Sequence, residues 1–297
     1  MFKSMLMAAA IALTVTAPAR AEKINLDTAE GYIKAMRKVQ CSLKDDKPVT
    51  FWWHGQAFGR VAGMADKNLF AVDGMNTRRC VTVKDDKRGV GFKLVSRELL
   101  IYKDAKTGEI LRTWQNPYTG EKVEVLHVAN DPVNQPGFFG TDREGKPLKF
   151  PGTVNNGQVW LNSTIPLFYQ NPLAGEYQPQ IGGFYHATEM FNFFADEKDL
   201  LDGKKDTAAI RVAWQRLSDW LPWMRMAGRE GLIYFNTSGR ALEKWDDLPE
   251  QVKKEIAANY PEYKEPPPST DTRPNETSWT YFKKKVKPDA PAPRRFD

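Results

Sequence analysis

Few residues in this chain are suited to proton chemistry. His127 stands four positions before Asp131, and His186 three before Glu189. In either pair the carboxylate could orient the imidazole and hold its pKa near neutrality, as general acid–base catalysis requires. Proton abstraction, ring opening and hydration all use such pairs, which makes these four the candidate catalytic residues. Each pair also has a plainer reading, a strand-end histidine satisfied by a nearby carboxylate. The third histidine, His54, lies in Trp52-Trp53-His54-Gly55. A three-histidine metal centre would depend on tertiary closure alone, because no His-x-His or His-x-x-x-His pair supplies two ligands locally. The reading therefore invokes no metal and no cofactor. No Gly-x-Ser-x-Gly elbow occurs, which argues against a serine hydrolase.

The second chemical resource is aromatic. Nine tryptophans and an aromatic content of 12% suit an apolar cavity walled by flat rings. Trp53, Tyr102, Trp114, Trp160, Tyr185 and Trp223 are the candidate ring contacts. His54, Asn130 and Arg216 are their candidate polar complements. Packing alone also accounts for most of these rings. The segment Trp220-Leu221-Pro222-Trp223-Met224 reads as an aromatic loop capping the mouth of a barrel.

These side chains need a scaffold, and the turns describe it. Gln115-Asn116-Pro117-Tyr118-Thr119-Gly120-Glu121 and Gln170-Asn171-Pro172-Leu173-Ala174-Gly175-Glu176 share one frame. Asn caps such a turn, Pro presets φ, and Gly accepts the positive φ that returns the chain. Asp104-Ala105-Lys106-Thr107-Gly108-Glu109 is a third relative. Short β-rich runs over 49–54, 69–74, 80–83, 91–102, 110–114 and 122–128 alternate with turn signals, as in a sandwich or barrel. Residues 134–157 read as a long loop. Strands follow at 158–161, 165–169 and 210–217, and segment 182–194 is read as a strand in preference to a helix. Gly231 to Phe235 and Arg240 to Leu242 form an expected hairpin across Asn236-Thr237-Ser238-Gly239. Helices are predicted over 28–40 and from Asp247 to Pro261, and Ser278 to Phe282 as a closing strand. The fold class is mainly β: an antiparallel meander closing into a calycin-like barrel or a strongly bent sheet, with two or three peripheral helices.

Lys3, an apolar run from Met5 to Val15, and Ala19-Arg20-Ala21 have the parts of a secretory leader cut after Ala21. The expectation is a periplasmic or secreted protein with no membrane span: residues 1–21 as signal, 22–285 as one domain, 286–297 as a disordered basic Pro-rich tail. The formal charge of +6 is spread along the chain, which does not suit nucleic-acid binding. In an oxidising compartment Cys41 and Cys80 read as a disulfide, with two buried free thiols or a reactive cysteine as the alternatives.

Several separated stretches carry a resemblance: Arg97-Glu98-Leu99-Leu100-Ile101-Tyr102, the turn after Gln115, Asn130-Asp131-Pro132-Val133, Trp220 to Met224, and Asn275-Glu276-Thr277-Ser278-Trp279. In that order they resemble the bacterial family called domain of unknown function 1838, over nearly all of the chain after the leader. The resemblance implies one domain, often exported, and no particular activity. The functional expectation is a protein that binds a hydrophobic or aromatic small molecule inside a β-barrel cavity. The alternatives are a cofactor-independent lyase, isomerase or hydrolase using the His/carboxylate pairs in that cavity, and an envelope structural or interaction protein. The sequence leaves the oligomeric state open.

Overall fold

The structure, a computed structural model, describes residues 23–171, 173, 182–226 and 228–286. The expected leader, the tail from 287 onward and most of the second heptapeptide lie outside the described residues. Twelve strands are seen: β1 Val49–Arg60, β2 Lys67–Asp85, β3 Gly89–Lys103, β4 Thr113–Gln115, β5 Lys122–Glu124, β6 Val128–Asn130, β7 Gln135–Phe139, β8 Thr153–Asn155, β9 Gln158–Gln170, β10 Phe184–Asp196, β11 Arg211–Ser218 and β12 Leu232–Ala241. Ten form one antiparallel sheet in the order β6-β3-β2-β1-β12-β11-β10-β9-β8, with β7 beside β6 on the same edge of β3; β4 and β5 make a separate hairpin. The helices are α1 Ala29–Gln40, a single turn α2 Glu197–Leu200, α3 Glu250–Asn259 and α4 Ser278–Val286.

The mainly antiparallel β reading holds, but the closed calycin-like barrel does not: β8 and β6 do not pair among the described residues, and the sheet stays open. Four local expectations are also corrected. The runs 69–74 and 80–83 belong to one continuous strand, β2. Asn236 to Gly239 form no hairpin and lie inside β12. Gly239 is there because β1 passes too close for a side chain: a Cβ would lie 2.0 Å from the Trp52 carbonyl oxygen. Ser278 to Phe282 start a helix instead of a closing strand, with Thr277 bonded to Thr280 across its first turn. The expected loop over 134–157 contains β7 and β8.

Local chemistry explains the elements that were read correctly. Thr28 caps α1, its Oγ1 accepting from the Gly31 N–H at 3.0 Å. In the first heptapeptide turn the Tyr118 N–H donates to Asn116 Oδ1 at 2.9 Å, and Gly120 holds φ of 75°. Segment 182–194 is a strand from Phe184 onward, so Tyr185, Glu189, Phe191 and Phe193 share one face.

The sheet is buried unevenly. One face carries the main core, with Phe51, Trp53, Phe70, Tyr102, Trp214 and Phe235 under α1 and α4. Where β3, β2, β1 and β12 lie, the opposite face is covered too: Met75, Leu99, Ile101 and Leu242 pack against Leu248, Val252 and Ile256 of the α3 region. This double burial makes Leu99-Leu100-Ile101-Tyr102 apolar at every position instead of alternating. Cys41, just after α1, is bonded to Cys80 on β2. No helix among the described residues is long and apolar enough to cross a membrane.

Candidate functional site

A cavity of about 450 Å³ opens on the main-core face. Its walls come from α1 (Met36, Gln40), β1 (Phe51, Trp53), β2 (Asn76, Arg78), β3 (Leu94, Ser96, Glu98) and, across the space, β9 to β11, including Leu161, Glu189, Phe191 and Trp214. Strand alternation selects these residues, since Leu94, Ser96, Glu98, Leu100 and Tyr102 all fall on one side of β3. Gly74 of β2 makes the Trp53 wall possible: a Cβ there would lie 2.2 Å from the indole, so the ring rests on bare backbone.

Four charged groups meet in or behind this wall. Glu189 and Arg216 are direct cross-strand partners on β10 and β11, with Arg216 Nη1 donating to Glu189 Oε1 at 3.0 Å. Arg216 also donates to the Tyr185 hydroxyl, and Tyr185 packs edge-on against Trp279 of α4 at 4.9 Å. Arg78 donates through Nε to Asn76 Oδ1 at 2.7 Å and through Nη1 to Gln40 Oε1 at 2.9 Å. Its guanidinium carbon sits 4.5 Å from the centre of the Phe51 ring. Burial lowers the Arg78 pKa to about 10, against the pull of Glu98.

Glu98 is the exceptional member. It faces Asn76 in the β2 register and Asn130 in the β6 register. Among the described residues its carboxyl makes no hydrogen bond or ion pair. Burial, and then the neighbouring Glu189 charge, push its pKa up to about 7, while Arg216 and Arg78 pull the other way. Asn130 beside it is buried, and its Oδ1 has no partner among the described residues.

The predicted residues divide accordingly. Trp53 and Glu189 line the cavity, Tyr185 and Arg216 support Glu189 from behind, and Asn130 pairs with Glu98 at the sheet edge. The predicted acid–base pairs are not formed. His127 is buried away from Asp131, its Nδ1 accepting from the Tyr102 backbone N–H at 3.1 Å. Burial lowers its pKa to about 4, so it is a neutral core histidine at neutral pH. Asp131 instead binds Arg97 at 3.1 Å and Arg273 at 2.7 Å. His186 lies on the opposite face of β10 from Glu189, exposed, with Nδ1 3.0 Å from Asp219 Oδ2 and its ring against the exposed Phe168. His54 is exposed on the other face of β1, stacked on Trp52 at 5.0 Å. The three histidines do not converge, and no group of three or more His, Cys, Asp or Glu among the described residues is placed to hold a metal ion.

The remaining rings are packing. Tyr102, Trp114 and Trp223 close on Phe70 at 4.9 to 5.7 Å. The gap between Tyr102, His127 and Trp223 is only about 10 Å³, room for roughly one water. The Trp220–Met224 segment is therefore part of the core and caps no mouth. Trp160 lies on the face of β9 opposite Val159 and Leu161. Sequence reasoning missed Glu98, Arg78, Asn76 and Gln40. The available signal was a charged or amide side chain at alternate positions of β2 and β3, in register with core residues.

A family model described as a protein of unknown function, DUF1838, matches residues 46–286. The chain belongs to the DUF1838 family. The matched span contains every strand of the described residues and all of the cavity wall except the α1 residues Met36 and Gln40, so the cavity is chiefly a feature of the DUF1838 domain. Of the two cysteines, Cys80 lies within that domain and Cys41 just before it. No curated protein matches the chain.

Proposed function

We propose that this DUF1838 protein binds a hydrophobic or aromatic small molecule in the cavity between β1–β3 and β9–β11. The observation that carries the reading is a partly open space of about 450 Å³, walled by the rings of Phe51, Trp53, Phe191 and Trp214, with the polar side chains of Gln40, Asn76, Arg78, Glu98 and Glu189 set among them. Ligand sites combine these features: apolar area supplies affinity, and a few placed polar groups supply orientation. The leader-like residues 1–21 and the Cys41–Cys80 bond support an exported, periplasmic or secreted setting.

The test is to purify the full chain natively, extract it with solvent and identify what comes off by mass spectrometry, alongside titration with the neutral dye Nile red. A reproducible co-purifying apolar compound that the dye displaces supports the reading. No compound and no saturable dye binding would sink it.

A second reading, a cofactor-independent enzyme in the same cavity, loses its histidine pairs and rests on Glu98 instead. A carboxyl with pKa of about 7 can give or take a proton at neutral pH. If the extracted compound is converted by the protein, Glu98→Gln abolishes conversion and leaves dye binding intact.

A further inference from the structure

Arg78 is a cation of the cavity wall that no carboxylate grips directly among the described residues, although the Glu98 charge acts on it. Its two protein acceptors, Asn76 Oδ1 and Gln40 Oε1, are neutral amides, and among the described residues it forms no ion pair. The other arginine of the site, Arg216, is matched by Glu189 at 3.0 Å. The two amides fix the Arg78 guanidinium plane, Phe51 supports one face of it, and Nη2 has no protein partner among the described residues. Across the β2–β3 register, next to Asn76, stands Glu98, which likewise makes no hydrogen bond or ion pair among the described residues.

We infer that the ligand of this cavity is a hydrophobic or aromatic monocarboxylic acid, its carboxylate held by the free edge of Arg78 and by the carboxyl group of Glu98. This rests on the cavity being a ligand site, as proposed above, and assigns the ligand's polar group. Charge balance supports the assignment. Glu189 and Arg216 cancel each other, which leaves Arg78 uncompensated whenever Glu98 carries a proton. A carboxylate supplies the missing charge and two acceptor oxygens, enough for the guanidinium on one side and the Glu98 hydroxyl on the other. An ammonium ligand would place a third cation beside Arg78 and Arg216, and an alcohol would leave Arg78 uncompensated. The groups facing Glu98 are Arg78 from β2, Tyr102 on β3 itself, Glu189 from β10 and Arg216 from β11.

The assignment makes affinity depend on pH in a definite sense. The bound state needs Glu98 protonated, so acid binding weakens as pH rises through about 7, by roughly tenfold for each further unit. An amine ligand would show the reverse trend, and an alcohol would show little trend.

The experiment displaces Nile red from the full-length protein with decanoic acid, decanol and decylamine at a pH of about 6 and about 8.5. At the lower pH the acid is expected to displace the dye at concentrations roughly tenfold below the alcohol, with the amine weakest, and to lose that advantage at the higher pH. Glu98→Gln keeps a donor at the same place, so it retains acid binding at both pH values. Arg78→Gln loses the acid preference and still binds the alcohol; Arg78→Lys, which keeps the charge, retains part of the preference. Circular dichroism confirms that each variant is folded. Displacement by alcohol or amine as good as by acid, or acid binding indifferent to both Arg78 variants, overturns this inference and leaves the cavity reading standing. A wild-type protein that binds neither dye nor any of the three probes overturns both.

Discussion

Glu98 on β3 and His127, which is bonded to the β3 backbone at Tyr102, titrate in opposite senses. Glu98 has its pKa raised from the ordinary 4.5 to about 7. The folded protein holds that proton more tightly than the unfolded chain, so its contribution to stability is full below about 4.5 and is lost as pH rises to 7. His127 has its pKa lowered from 6.5 to about 4. Its contribution is full above about 6.5 and is lost as pH falls toward 4. Each effect is on the order of 3 kcal/mol, and between about pH 4.5 and 6.5 they oppose each other. Urea melts across that window should therefore show a small net slope from these two groups in the wild type. Glu98→Gln should lose stability on acidification, and His127→Asn, whose Oδ1 can take the place of Nδ1 before the Tyr102 N–H, should gain it relative to its own value at neutral pH. Parallel curves for the three proteins would refute the assignment.

At the scale of elements, what could be read from the chain depended on how many faces of a strand are buried. β10 has one buried face at Tyr185, Ala187 and Phe193, and its alternation was legible. In β3 the run Leu99-Leu100-Ile101-Tyr102 is buried on both faces, which erases the alternation that would have shown where Glu98 points. The carboxyl that matters most was therefore hidden inside a motif that was otherwise noticed. Gly239 misled for a related reason: glycine marks turns, and here it marks a close crossing of two backbones. This supplies a prediction. Gly239→Ala puts a Cβ 2.0 Å from the Trp52 carbonyl oxygen, whereas Gly74→Ala meets the Trp53 ring at 2.2 Å. A ring can rotate, and a paired strand cannot easily move. Gly74→Ala should cost about 1 to 3 kcal/mol, and Gly239→Ala more, as seen in denaturant melts. The reverse order would mean that Trp53 is held more rigidly than the β1–β12 ladder. The helix at Ser278 was misread because its aromatic Trp279, Tyr281 and Phe282 resemble a strand run, and only the docking of Trp279 against Tyr185 decides the matter.

Across the whole molecule, an open ten-stranded sheet has two edges to manage. At one, β8 is only three residues long and exposed at each of them; at the other, β6 is packed against α4. Very short edges and helical cover both limit pairing with other chains. The barrel expectation failed at this scale, because strand count and turn spacing do not say whether the first and last strands meet. The long-range tie that does exist is the Cys41–Cys80 bond, which joins the end of α1 to β2 across a separation of 39 residues. Since α1 supplies Met36 and Gln40 to the cavity, the bond secures a wall of the site as well as the fold. Replacing both cysteines with alanine should lower stability by roughly 3 to 4 kcal/mol, measured by denaturant unfolding at fixed pH. It should also weaken dye binding while leaving the far-ultraviolet spectrum of the sheet unchanged. Unaltered dye binding in that variant would show that α1 stays in place without the bond.

Trp53 and Trp214 face the same cavity with ring centres 6.0 Å apart and planes inclined at 57°. At that distance and tilt the excited states of two indoles couple, and a coupled pair gives a signed ultraviolet circular-dichroism doublet whose size follows the angle between the rings. The walls of the cavity thus contain an optical gauge. Any molecule that enters and shifts either ring by a few degrees changes the doublet, so occupancy can be followed without a label, even before the occupant is known.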